Sequence, residues 1–232
     1  MHHARDYSDQ LLNLIALHAQ GADNRQIDAF QAEIDLPFIQ ADFPRLIESM
    51  ETGASRIQKI VADLRTFARL DESELKTIHL PEAVDSVVLM INHRLTFEMN
   101  GEARSIGLIK NYDEKIPPLY CYAGQLNQVL FHLLNNAIDA LLSEVPSQPQ
   151  IRITTRLKDP QTLQIRVADN GPGVPEVLQQ QIFDPFFTTK PIGQGTGLGL
   201  SLSHQLMQSQ GGLIRYEPGE GAIFVVEMPI AM

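Results

Sequence analysis

Gly193-Gln194-Gly195-Thr196-Gly197-Leu198-Gly199-Leu200-Ser201 places four glycines at alternate positions directly ahead of an apolar-periodic run, residues 202–207. Glycine lets a backbone approach a ligand closely, and the free N–H groups and positive dipole end of a following helix attract anionic oxygen. The stretch therefore reads as one wall of a phosphate site leading into a helix over 198–210. A surface loop can have the same composition, so the reading depends on what the rest of the chain supplies.

Just upstream, Ile182-Phe183-Asp184-Pro185-Phe186-Phe187-Thr188-Thr189-Lys190 sets three aromatics beside two hydroxyls and an ammonium. The apolar part can dock the segment while Lys190 and Thr188 or Thr189 reach anionic oxygens; core aromatics beside a solvated lysine are the plainer account. Further back, Ala168-Asp169-Asn170-Gly171-Pro172-Gly173 follows a predicted strand. It puts a carboxylate beside two glycines, where backbone can come close to a flat ligand and Asp169 can accept from an adenine amino group; a strand-end turn of this composition also forms without any ligand. A helix predicted over 123–142 contains His132-Leu133-Leu134-Asn135-Asn136-Ala137-Ile138-Asp139-Ala140, with Val129, Leu133, Leu134, Ile138 and Leu141 as its core face. Asn135 and Asn136 are poor interior helix formers. An amide oxygen suits a hard cation such as Mg²⁺, whose other ligands are typically water and phosphate oxygens; a helix-packing amide is the alternative.

Around these motifs helices and strands alternate. A strand is predicted over 77–80, a helix over 81–95 with proline at its permitted first turn, and a strand over 106–112. Period-two alternation predicts two hairpins, 151–157 with 163–168 and 213–216 with 222–229. Residues 76–232 thus read as an α+β domain, with a mixed sheet on one side and helices on the other. Residues 1–75 differ in kind. Tyr7, Leu11, Leu12, Leu14, Ile15 and Leu17 keep one helical face as far as Gly21, and Phe43, Ile47, Met50, Ala54, Ile57, Val61, Leu64 and Ala68 continue at spacings of three and four. Two helices alone bury such a stripe poorly. An antiparallel helical hairpin that pairs with a second copy into a four-helix bundle is predicted, with packing on the following domain as the alternative and the boundary near Asp71-Glu72-Ser73-Glu74.

Composition removes several classes. A formal net charge of −10 argues against a general nucleic-acid or acidic-membrane surface. The single cysteine, Cys121, excludes an intrachain disulfide and a multi-cysteine metal cluster, and suits a reducing cytoplasm. No stretch approaches 18 uncharged apolar residues, so no direct membrane contact is expected from this chain, and its opening residues lack the apolar region of a signal peptide. The chain begins inside a helical pattern, from which a fragment of a larger protein is expected, with a sensor or a membrane anchor upstream.

Taken in order, the asparagine helix, Asp-x-Gly-x-Gly, the phenylalanine-rich segment and Gly-x-Gly-x-Gly-Leu-Gly-Leu resemble the N, G1, F and G2 boxes of the GHKL nucleotide-binding superfamily. The helical pair before them resembles the dimerisation region of sensor histidine kinases. The resemblance implies an α/β sandwich of the GHKL type, with ATP and Mg²⁺ as cofactors. It implies Asn136 as the magnesium ligand, and Asp169, with Gly171 and Gly173, at the adenine. It further implies a lid over 183–194 carrying Thr188, Thr189 and Lys190, and a phosphate cradle of Gly193, Gly195, Thr196, Gly197, Leu198, Gly199 and Leu200. The implied reaction moves the ATP γ-phosphoryl group to a histidine and then to an aspartate of a response-regulator receiver domain, in a homodimer joined through the hairpin.

Four departures qualify this. None of His2, His3, His18, His79, His93, His132 or His204 is followed by an acidic residue and then proline as the family's phosphoacceptor is, so that histidine is expected upstream of this chain. His132 stands where relatives often carry asparagine; it can pack, touch phosphate or act as a general base near neutrality. Asp139 stands where many relatives have a basic residue, which leaves Lys190 as the lid cation, and Ala222 lies in a stretch where relatives often have threonine. A nucleotide-sensing dimer scaffold without phosphotransfer, and a GHKL ATPase, remain alternatives at this point.

Overall fold

The computed structural model describes residues 2–68, 74–99, 101–191 and 195–230, with side chains for all of these except 2, 3, 52 and 55–68. The chain divides into two compact units, residues 1–61 and residues 62–190 with 195–232.

The first unit is helical. α1 (His2–Ala19) ends ahead of a turn at Gly21, and the segment expected to connect two helices is itself a helix, α2 (Asn24–Glu33). Asp23 starts it: its carboxylate accepts from the Gln26 N–H at 2.8 Å, while Gln26 Oε1 accepts from the Asp23 N–H at 3.2 Å, a reciprocal capping box. Asp35, in the left-handed region at φ 49°, separates α2 from α3 (Leu36–Ala68). Tyr7 on α1 donates its hydroxyl to Asp42 at 3.1 Å and meets Phe43 edge-on, so α1 and α3 meet although α2 lies between them in sequence. Leu14, Ile27, Ile34 and Ile39 form the buried cluster, whereas Leu12, Ile15, Phe38, Ile47 and Met50 are exposed. The seam residues Ile57, Val61 and Leu64 fall among the undescribed side chains, and Asp71, Glu72 and Ser73 lie outside the described residues.

The second unit runs β1 (Leu75–Ile78), α4 (Leu80–Ile91), a 3-10 turn at Asn92–Arg94, β2 (Thr96–Met99), β3 (Glu102–Ser105), β4 (Gly107–Tyr112), β5 (Leu119–Tyr122) and α5 (Ala123–Ser143). It continues with β6 (Gln150–Asp159), β7 (Thr162–Asp169), α6 (Gly199–Ser209), β8 (Leu213–Pro218) and β9 (Ala222–Pro229). Its main sheet has the order β4-β6-β7-β9-β8, antiparallel except for the parallel β4-β6 pair. The mixed sheet is the one expected. β1 pairs with β5 as a separate two-stranded sheet, and β2 with β3 form a hairpin that the sequence reading left out.

Alternation places Ile151, Ile153, Leu163, Ile165, Val167, Phe224, Val226 and Met228 in one core with Val84, Val87 and Ile91 of α4, Leu126, Leu133, Leu134 and Ile138 of α5 and Leu206 of α6. Glu227, buried on β9 beside this core, is held as a carboxylate by Lys158 at 2.7 Å, Gln164 at 2.8 Å and Arg215 at 3.0 Å. Among the described residues no helix is long and apolar enough to cross a membrane.

Candidate functional site

The site is organised along one stripe of α5. His132, Asn136, Asp139 and Ala140 recur at spacings of three and four and so share a helical face, about 12 Å from first to last at 1.5 Å per residue. Their partners come from other elements of the second unit, and Asn136 and Asp139 share Lys190.

At one end, His132 Nδ1 lies 3.1 Å from Ser203 Oγ, and the hydroxyl donates to the Gly199 carbonyl at 2.8 Å. With the Ser203 proton used there, Nδ1–H is the donor to Ser203 in this arrangement. A Cβ added to Gly199 would rest 3.6 Å from the His132 ring, so α5 and the start of α6 are in contact here. His132 thus braces the first turn of α6.

In the middle of the stripe, the Lys190 ammonium donates to Asn136 Oδ1 at 3.3 Å and to Asp139 Oδ2, while Arg94 Nη2 donates to Asp139 Oδ1 at 2.6 Å. Burial opposes ionisation of Asp139, yet the bonds from Lys190 and Arg94 outweigh it and hold the carboxyl below the usual carboxylate range. Arg94 also reaches Asn135 Oδ1. An ammonium already sits on Asn136 Oδ1, which shows that oxygen turned to receive a cation.

At the far end, Asp169 closes β7 and is buried, 7% exposed. Its Oδ1 accepts from the N–H groups of Gly171 at 2.9 Å and Ala222 at 3.4 Å. Among the described residues both donors converge on Oδ1, which leaves Oδ2 to take a donor from outside. Burial raises the Asp169 pKa above the ordinary carboxylate value, against the lowering by those two backbone bonds. Glycine is needed around it: a Cβ on Gly171 would lie 3.0 Å from Asp169 Oδ1 and 3.5 Å from Ala140, and one on Gly221 would strike the Asp169 carbonyl. Gly173, at φ 72°, follows, and the next N–H, of Val174, donates to the Tyr216 hydroxyl at 3.3 Å.

The phenylalanine-rich segment divides in two. Ile182 is buried, and Phe183 and Phe187 pack on the core, Phe183 against His204 and Phe224. Phe186 is 65% exposed in the left-handed region at φ 68°, its N–H donating to the Gly197 carbonyl at 2.9 Å. Gly197 has φ 68°, and a Cβ there would run into the Phe186 carbonyl, so this close approach requires glycine. Thr188 and Thr189 are exposed, with Thr188 Oγ1 accepting from the Lys190 N–H at 3.2 Å. A Cβ at Gly195 would press on Thr188 and Lys190. Thr196 is buried and its hydroxyl accepts from the Leu198 N–H at 3.4 Å; Leu198 caps α6, and Leu200 packs against the core. Gly193 lies outside the described residues.

Residues 122–232 match the family described as Histidine kinase-, DNA gyrase B-, and HSP90-like ATPase. The chain carries a histidine kinase-type ATPase domain. It is 34% identical over 192 residues to the two-component sensor PprA of Pseudomonas aeruginosa, covering 80% of this chain and 20% of PprA. It is 33% identical over 176 residues to the signal transduction histidine-protein kinase AtoS of Escherichia coli, covering 75% of this chain and 27% of AtoS. The chain thus spans about a fifth to a quarter of these two relatives.

The catalytic domain of histidine kinase ThkA superposes with a TM-score of 0.55 at 29% identity, covering 68% of this chain and 96% of that structure. Full-length ShkA, solved in complex with AMPPNP, shares the fold with a TM-score of 0.64 at 23% identity, covering 82% of this chain and 39% of ShkA. The ATPase domain here is of the GHKL type, and its family supports nucleotide as the ligand.

Sequence reasoning missed Arg94, Gly221 and the Ala222 N–H. Asp139 carried a signal for Arg94: no lysine or arginine stands within four residues of it on α5, so its charge needed a partner from another element. The missing threonine near Ala222 proves beside the point for Asp169, because that strand serves the carboxylate with a backbone N–H.

Proposed function

We propose that this chain is the ATP-binding and dimerisation portion of a sensor histidine kinase. In this reading it transfers the ATP γ-phosphoryl group to a histidine other than its own seven, for relay to a response-regulator aspartate. The observation that carries the reading is Asp169, a buried carboxylate with one oxygen satisfied by backbone and the other open to an adenine amino group, at one end of a stripe whose middle holds Asn136 and Lys190. Gly171, Gly173 and Gly221 let the base approach. Asn136 would hold Mg²⁺, which would supply positive charge against that of the phosphates. Lys190 and the hydroxyls of Thr188 and Thr189 meet phosphate oxygens, and Gly193, Gly195, Thr196, Gly197, Leu198, Gly199 and Leu200 form the cradle at the start of α6. His132 positions that helix through Ser203 and is not the general base.

Residues 1–75 form the dimerisation hairpin and 76–232 the catalytic domain. The exposed stripe of Leu12, Ile15, Phe38, Ile47 and Met50 supports a homodimer, since apolar rows of this kind gain by meeting a second copy. A cytoplasmic location accords with the free Cys121 thiol. Binding calorimetry with Mg²⁺-ATP tests the reading: Asp169→Asn should lose about 1.5–3 kcal/mol, roughly ten- to a hundredfold in affinity. Unchanged affinity in that variant would remove Asp169 from the adenine.

A further inference from the structure

Asp139 accepts from two cations that differ in how they are held. Arg94 stands on the 3-10 turn that ends α4, a helix anchored by the fully buried Val84, Val87 and Ile91, and its guanidinium is held a second time by Asn135 Oδ1, whose own Nδ2 donates to the Phe131 carbonyl at 2.8 Å. Lys190 stands on a segment whose neighbours Thr188, Thr189 and Pro191 are exposed, and its ammonium is shared between Asp139 and Asn136 Oδ1. One cation is fixed to the framework. The other is on a loop and occupies an oxygen that the nucleotide reading assigns to Mg²⁺.

From this asymmetry we infer that Asp139 is a positioning residue that latches Lys190 over Asn136 while the site holds no nucleotide, and that Arg94 alone neutralises Asp139 once Lys190 turns to phosphate. The inference rests on the nucleotide reading of the site. Phosphate and metal entering at Asn136 compete with the ammonium for Oδ1, and Lys190, with three rotatable N–H donors, can turn away while Arg94 stays held by both Asp139 and Asn135. The carboxylate then faces incoming phosphate charge with one cation fewer. Without Arg94 it would be a bare like charge beside the phosphates; with Arg94 in place the cluster stays neutral. Asp139 and Arg94 therefore act on nucleotide affinity in opposite directions, although they are bonded to each other.

The test uses this chain, with calorimetry of Mg²⁺-ATP binding and amide hydrogen exchange without nucleotide. Asp139→Asn should bind Mg²⁺-ATP about tenfold tighter, the size of one charge-assisted bond that no longer competes. In the same variant the Lys190 N–H, held by Thr188 Oγ1, should exchange faster while the Phe186 N–H, held by Gly197, stays protected. Arg94→Gln should bind about tenfold more weakly, and Arg94→Gln/Asp139→Asn should recover the loss. A merely structural Arg94 would show no such rescue. Equal or weaker binding by Asp139→Asn with unchanged Lys190 exchange overturns the latch while leaving the nucleotide reading intact. Absence of Mg²⁺-ATP binding by the unsubstituted chain overturns that reading and the latch with it. Should Asp139→Asn fail to fold, Arg94→Gln alone decides: unchanged affinity there contradicts the neutralising role.

Discussion

The helical unit and the sheet unit solve the burial problem differently. Among the described residues the first buries Leu14, Ile27, Ile34 and Ile39 and leaves Leu12 and Ile15 of α1 and Phe38, Ile47 and Met50 of α3 exposed. The second covers its sheet with three helices and buries whole faces of α4, α5 and β7. A unit with a complete core can hold a functional site rigid on its own elements, as α5 holds His132, Asn136 and Asp139. A unit with an incomplete core gains stability by association. The proposed division into an ATP-binding domain and a dimerisation hairpin draws on this contrast.

The largest effect that would sharpen this contrast is in the sheet unit's core. Leu133, fully buried, should cost about 2–5 kcal/mol as Leu133→Ala, read as a lower urea midpoint by circular dichroism; a loss well under 1 kcal/mol would deny that this core stands alone. On the hairpin, Leu12→Glu with Ile15→Glu should leave the nucleotide affinity intact and weaken self-association by about 2 kcal/mol or more, seen by sedimentation. An unchanged oligomeric state would break the comparison.

Acid offers the third probe, because two carboxylates of the site shift in opposite directions. Asp169 is raised, so adenine binding, which needs the carboxylate, should weaken as pH falls through that raised value and before ordinary carboxylates near 3.9 titrate. Protonation there does not unfold the protein: a raised pKa favours the folded state at low pH, a contribution lost as pH rises. Asp139 is lowered, so its contribution to stability is full above the unfolded carboxyl value and is lost as pH falls through its folded one. Affinity should therefore drop at a higher pH than melting temperature does, and coincident profiles would contradict the assignment. The smallest effect concerns the hairpin's capping box: Asp23→Ala should cost about 1 kcal/mol, measured as a loss of helix signal on heating.

Much of this was legible from local pattern. The core face of α5, Val129 to Leu141, follows from period alone, and both hairpins of the main sheet follow from alternation, because burial on one side writes itself into sequence. α2 escaped because its ten residues are mostly polar and hold only two large apolar side chains, Ile27 and Phe30, too few to stand out; its clearer signal was the Asp23-Gln26 spacing. β2 and β3 escaped for the same reason, each being four residues long with little burial, although Asn100-Gly101 is a hairpin turn sequence. In the site, Asp169, Asn136 and Lys190 were legible as motifs, while Arg94 was not, because its role comes from a tertiary meeting 45 residues apart in sequence. Gly221 likewise matters only through its close approach to the Asp169 carbonyl, which no neighbouring residue announces.

The central claim is that Asp169 recognises the amino group of adenine. Competition calorimetry of ATP against inosine triphosphate, which lacks that amino group, tests it most directly. The unsubstituted chain should prefer ATP by about tenfold or more, and the preference should disappear in Asp169→Asn. Equal affinities for the two nucleotides in the unsubstituted chain would contradict it.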